Sequence, residues 1–311
     1  MWSALTRVDG ADTRLPGGDQ VGFVVFGATQ GSCRVAMSCR AVLLAVATLW
    51  SIQSLAQTAS PASDATLPDT QFSKDSENPV TRQITLPLRY EADFRNGADK
   101  ATRDQFQISQ AVVPFSLSAD WALITRTKLP VIVQPPRKNG DQWATGLGNG
   151  YTTFFLSPAY GSGFYWGAGP LLYYPATNSA VGVTKWGSGP SVAFLKKDES
   201  PWVVGAVINN IWSIGGPPTG GNRTNSLLLN PIVSYHFGDG WAVGSSPNIT
   251  SNWVASGAKR TVPVGGSFSK TLELGAQPLK AALESYYNAI RPTSGNDTWL
   301  LQFTVTFVFP R

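Results

Sequence analysis

The chain has 311 residues, with 24 Lys and Arg against 19 Asp and Glu, a net charge of +5 and 14% charged residues. The basic excess is spread along the chain with no Lys/Arg-rich stripe, which argues against a nucleic-acid partner. His236 is the only histidine, so a metal site built on several imidazoles is excluded, and neither a metal nor a cofactor is expected.

Residues 1–36 show no periodic pattern and read as an extension upstream of a true start at Met37. From there Ser38-Cys39-Arg40, the apolar run Ala41 to Trp50 and the small residues Ser54-Leu55-Ala56 predict a signal peptide over 37–56, cleaved before Gln57. The run is too short to cross a bilayer as a helix, which takes about 20 apolar residues. Both cysteines, Cys33 and Cys39, fall in the part removed, so no thiol chemistry is expected downstream. Residues 57–80, rich in Ser, Thr, Asp and Pro, read as a flexible periplasmic lead-in or a plug.

Residues 81–311 carry the fold signal. Twelve apolar-alternating segments, about 81–93, 104–114, 118–133, 144–158, 162–174, 185–196, 201–213, 225–237, 240–251, 260–271, 277–289 and 298–309, are separated by turn residues such as Asn139-Gly140-Asp141 and Gly238-Asp239-Gly240. In the last one Trp299, Leu301, Phe303, Val305, Phe307 and Phe309 share one face, while Gln302, Thr304 and Thr306 share the other. An apolar face of this length predicts an all-β fold: a transmembrane antiparallel up-and-down β-barrel of about 12 strands in a bacterial outer membrane. Tryptophans near the strand ends suit the two membrane interfaces.

Alternation then predicts which residues line the lumen, since a Lys or Arg on the lipid face near mid-membrane costs roughly 2–4 kcal/mol. The lumen set is Arg89, Glu91, Arg126, Lys128, Asn230, Ser234, His236, Lys280 and Glu284, with Arg89, Glu91, Lys280 and Glu284 near enough across the barrel seam to pair. By the same argument Arg is expected to disrupt at Phe303 and to be tolerated at Thr304. The segment 201–213 is apolar on both faces and gives no direction. Gly167, Gly169, Gly187 and Gly189, 20 residues apart in two pairs, mark either a bend of the wall or a candidate substrate path without side chains.

Catalysis is not expected. Ser234 and His236 share a face, but a two-residue step along a strand sets them about 7 Å apart at the backbone. Gly146-Leu147-Gly148-Asn149-Gly150 lacks the Lys-Ser/Thr and the helix of a phosphate loop.

The order of short motifs from Asn78-Pro79 onward resembles a known family. They include Ile124-Thr125-Arg126 with Leu129-Pro130-Val131-Ile132, Gly167-Ala168-Gly169-Pro170, Trp186-Gly187-Ser188-Gly189-Pro190, Asn210-Ile211-Trp212-Ser213, Val262-Pro263-Val264-Gly265-Gly266 and Phe307-Val308-Phe309-Pro310. The chain is similar to the bacterial outer-membrane barrels mislabelled neuromedin U, grouped with transporters of the phenol meta-degradation pathway. The resemblance implies an outer-membrane passage for small hydrophobic compounds. Asn149 stands where an acidic residue is usual and Ala111 where a proline is common, so no ion-binding role carries over to that loop.

The expected function is therefore an outer-membrane channel or transporter for small hydrophobic or aromatic compounds. The alternative is a non-conducting barrel with a structural or surface-interaction role. The expected partners are outer-membrane lipid and lipopolysaccharide, the barrel-assembly machinery and a small-molecule substrate.

Overall fold

The computed structural model describes residues 69–309 apart from 98, 160, 162, 217–222, 276 and 293–296. The expected signal peptide, the extension before it and residues 57–68 of the lead-in lie outside the described residues. A short helix, α1 (Asp69–Asp75), precedes the strands β1 (Ile84–Asn96), β2 (Ala101–Ser116), β3 (Trp121–Gln134), β4 (Ala144–Leu147), β5 (Tyr151–Pro158), β6 (Phe164–Tyr173), β7 (Trp186–Lys197), β8 (Trp202–Gly215), β9 (Asn225–His236), β10 (Trp241–Ser245), β11 (Ile249–Asn252), β12 (Arg260–Leu274), β13 (Gln277–Ile290) and β14 (Trp299–Phe309).

Every pairing is antiparallel, and β14 closes on β1 from Ile84 opposite Phe309 to Phe94 opposite Trp299. β4 and β5 both pair with β3, and β10 and β11 both lie between β9 and β12. The wall is therefore a closed barrel of 12 strands, as the alternation predicts. Closure removes every sheet edge, the condition for a sheet to exist in lipid.

Connections are short at the end where β1 begins and β14 finishes, as at 117–120, 198–201 and 237–240, and longer at the other, as at 135–143 and 174–185. Asp239 and Gly240 both have positive φ, 59° and 71°, the backbone that a two-residue type I′ hairpin requires. Short turns on the periplasmic side and longer loops outside are the outer-membrane arrangement.

Outward positions are apolar and exposed, among them Leu88, Phe106, Leu129, Val131, Leu156, Val192, Val204, Val264 and Leu283. A continuous surface of this kind is stable against lipid and not against water. Aromatic side chains gather at both ends of it: Trp121 meets Trp166 edge-on and Trp202 meets Tyr235 at the turn end, and Tyr287 packs on Trp299 at the loop end.

The strand left without a direction, β8, turns Trp202, Val204, Ile208 and Trp212 outward and buries Val203, Val207, Asn209 and Ile211 inside. Apart from Asn209 its inner face is apolar: Val207 joins a cluster of Val80, Val112, Ala122, Ile124, Phe155 and Ala193, Val203 packs with Leu195 and Ile232, and Ile211 with Tyr151 and Leu171. A narrow barrel can be filled by side chains. Here one inner sector is polar and the facing sector is oily.

Candidate functional site

Residues 69–83 fold into the barrel. Lys74 Nζ donates to the carbonyls of Asp198 (3.1 Å) and Ser200 (2.6 Å) at the turn end, and Asp75 pairs with Lys197. Glu77 then accepts from Lys280 on β13 and Ser234 on β9, with His236 Nε2 3.4 Å away. Burial favours the neutral form of Glu77, but the Lys280 ammonium and His236 outweigh it and hold the carboxyl at about 2. Asn78 Oδ1 accepts from the Val80 amide at 3.0 Å, a turn that aims Val80 into the oily sector.

Along the wall formed by β1, β14 and β13, Arg89 and Glu284 form an ion pair at 3.0 Å; Arg89 Nε also donates to Thr304 at 2.9 Å, and the Tyr286 hydroxyl donates to Glu284 at 2.8 Å. Of the four residues expected to pair, Lys280 turns to Glu77 instead. Glu91 is held by the amides of Gln302 (2.7 Å), Gln107 (3.3 Å) and Gln105. Next to it Asp93 binds Arg103 at 2.8 Å. Arg126 is buried and donates to Gln110, while Lys128 is half-buried opposite Tyr151 in the ladder. Asn230 donates to Ser246 and Pro247. Arg89, Arg126, Asn230, Ser234, Lys280 and Glu284 line one cavity of about 160 Å³.

Two expectations about the lumen residues need correction here. Ser234 Oγ and His236 Nε2 lie 3.0 Å apart, since side chains on one face can lean together even where their backbones do not. The carboxylate of Glu77 contacts this same ring nitrogen while Nδ1 has no hydrogen-bond partner among the described residues. A nucleophile, base and orienting acid need opposite ring nitrogens, so this is not that arrangement.

The second concerns the four glycines as a bare path. Trp166 and Trp186 do face outward, but a Cβ at Gly167 would stand 2.9 Å from Val80 Cγ1. At Gly169 and Gly189 it would meet the carbonyls of Phe154 and Asn210 at 1.9 and 1.7 Å. Pro170 and Pro190 face each other across β6 and β7 at this level. The glycines allow a tight bend of the wall, the other reading of the pair, and Val80 occupies the space inside.

Residues missed from the sequence are Glu77, Val80, Asp93, Arg103 and Tyr286. Asp93 and Tyr286 each lie two positions from a lumen residue, so the same alternation marks them; Glu77 and Val80 sit where no periodicity exists. Among the described residues no group of three or more His, Cys, Asp or Glu side chains is placed to hold a metal ion.

No protein-family model matches the chain, and no curated protein matches it significantly in sequence. Solved structures do. The COG4313 outer membrane channel from Pseudomonas putida F1 superposes with a TM-score of 0.53 at 15% identity, covering 81% of this chain and 100% of that one. The outer membrane phospholipase of Salmonella typhi gives 0.38 at 12%, covering 79% and 99%, and the β domain of the Bordetella autotransporter BrkA 0.40 at 13%, covering 73% and 100%. The expectation that this chain is no enzyme does not stand, since the matching structures include outer membrane phospholipases; at 12% identity they assign no activity here. At these identities the shared property is the fold, an outer-membrane-type β-barrel.

Proposed function

We propose that this protein is an outer-membrane channel for small hydrophobic or aromatic compounds, with residues 69–83 acting as its plug. The observation that carries the reading is the divided lumen. An oily strip on β2, β3, β5, β7 and β8 faces a hydrogen-bonding wall on β1, β9, β13 and β14, and Val80 caps the strip. A molecule with an apolar ring and one polar group matches both walls once the segment moves. The resemblance to barrels of the phenol meta-degradation pathway and the fold of a channel point the same way. Uptake of a radiolabelled alkylphenol by cells with and without the protein tests the reading; equal uptake removes it. The non-conducting alternative rests on the same inserted segment, which is tied to the turn end through Lys74 and Asp75, and planar bilayers separate the two: steady conductance supports a channel and silence supports a sealed barrel.

A further inference from the structure

One cation of the central cavity has no acid to neutralise it. Arg126 lies on the inner face of β3, 9% exposed, and lines that cavity. The other cations there are matched: Lys280 is held by Glu77 and Arg89 by Glu284. Among the described residues Arg126 has no carboxylate partner, and its guanidinium makes a single hydrogen bond, from Nη2 to Gln110 Oε1. A guanidinium carries five donors. Burying a charge is costly unless it is paired and hydrogen-bonded, so an anion entering this cavity meets a partner that is already desolvated and still short of acceptors.

The backbone of β2 is distorted to bring Gln110 to it. β2 carries one extra residue between Ile108 and Ala111 relative to β3, with a matching shift relative to β1. Within this bulge Gln110 has a φ of 68°, a left-handed conformation that is strained for a residue with a Cβ. Its amide spans two groups: Oε1 accepts from Arg126, and Nε2 donates to the Tyr151 hydroxyl at 3.3 Å. Tyr151 is itself fixed against Leu171 and Ile211. Bulges re-aim side chains beside functional sites, and here the strained residue orients the guanidinium.

The same bulge divides the inner wall. Before it the buried residues of β2 are Gln105, Gln107 and Ser109; after it they are Val112 and Pro114. Val112 stands opposite Arg126 in the ladder, and Ile124 lies two positions before Arg126 on the same inner face; both belong to the oily cluster. Arg126 therefore sits on the border between the two sectors of the lumen.

We infer that Arg126, positioned by Gln110, is a binding site for the carboxylate of small monocarboxylic acids with an apolar body, of the alkylbenzoate type. The inference rests on the channel reading above and names the polar group that the passing molecule carries. The planar fork of an arginine fits both oxygens of a carboxylate, and the hydrocarbon attached to that carboxylate meets Val112 and Ile124. A phenol hydroxyl accepts from the guanidinium but leaves its charge unmatched. A phosphate dianion brings more charge than one guanidinium balances.

The test compares uptake of radiolabelled para-ethylbenzoate and para-ethylphenol by cells with and without the full-length protein, at about pH 7.5, where the first is an anion and the second is neutral. Uptake of both is expected to depend on the protein and to be faster for the carboxylate. Arg126→Gln is expected to cut para-ethylbenzoate uptake roughly tenfold, the effect of losing one charge-assisted hydrogen bond, and to leave para-ethylphenol uptake unchanged. Arg126→Lys, which keeps the charge and loses the fork, falls between, and Gln110→Ala lowers the carboxylate uptake alone by a smaller factor. Loss of both tracers alike, or of neither, in an Arg126→Gln barrel that assembles by heat-modifiable migration overturns the carboxylate site and leaves the channel standing. Wild-type uptake of para-ethylbenzoate no faster than that of para-ethylphenol overturns the site as well, whether or not the variant assembles. If neither tracer's uptake depends on the protein, the channel reading falls, and the site with it.

Discussion

Replacing Glu77 by Gln takes the counter-charge from the buried Lys280 and leaves one acceptor oxygen for Lys280 and Ser234, which now use two. A carboxyl held at about 2 against an ordinary 4.5 corresponds to roughly 3 kcal/mol of differential interaction. For a lowered carboxyl pKa the docking energy is fully present above about 4.5 and is lost as pH falls toward 2. The plug is therefore expected to hold at pH 7 and at pH 5, and to be released by Glu77→Gln at both. Protease cleavage within 69–83 reads this: resistance in the variant equal to wild type overturns the anchoring role. Asn149 makes a second, independent claim. Its Nδ2 donates to the Tyr174 and Val183 carbonyls at 3.0 and 2.6 Å, and its Oδ1 accepts from the Val183 amide at 2.7 Å. An aspartate there has no donor and faces two carbonyls, so Asn149→Asp is expected to destabilise the 174–185 loop by on the order of 2 kcal/mol. Faster proteolysis inside that loop, with the barrel intact, checks it. The departure from an acidic residue at this position thus has a structural use that the sequence alone does not display.

Strands were legible wherever lipid dictates one face. In β14 Phe303 lies between Tyr90 and Leu283 on the outer wall, and Phe303→Arg is expected to cost roughly 2–4 kcal/mol and to impair assembly. The comparison position proves ill-chosen. Thr304 is buried and accepts from Arg89, so an arginine there meets a like charge and is not tolerated; Thr304→Ser is the harmless control. Heat-modifiable migration on a gel reports both, and equal migration of Phe303→Arg and wild type contradicts the assigned direction. The inner faces were legible only in part. Alternation distinguishes inside from outside, but what the inside should contain depends on what fills it: β8 could not be oriented because its inner Val203, Val207 and Ile211 pack into apolar clusters within the barrel, so both of its faces read as apolar. The break at 246–248 was invisible for another reason, since both flanking segments keep register and read as one strand. Pro231 and Pro247, opposite each other in that register, are the trace of it.

At the scale of the whole barrel, charge is distributed unevenly along the axis. The exposed basic residues of the loop end, Arg95, Lys100, Arg137, Lys138, Arg223, Lys259 and Arg260, outnumber its exposed acids, Asp99 and Asp141. The turn end is the reverse, with Asp120, Asp198, Glu199, Asp239 and Glu273 exposed beside Lys196. Inside, Asp75, Glu77, Glu91, Asp93 and Glu284 face Lys74, Arg89, Arg103, Arg126, Lys197 and Lys280, nearly all engaged with one another or with neutral partners. Paired interior charges set up no strong field for either ion, so selectivity falls to the mouths. A basic outer mouth concentrates anions within a screening length, about 10 Å at 0.1 M salt and about 3 Å at 1 M. A conducting barrel is therefore expected to be weakly anion-selective in 0.1 M potassium chloride and close to unselective at 1 M. Charge reversal of the pair Lys259 and Arg260 to Glu should shift the low-salt reversal potential toward cations and leave the high-salt value unchanged. Strong selectivity for one sign that persists at 1 M would place the filter in the lumen and refute the balance of its charges.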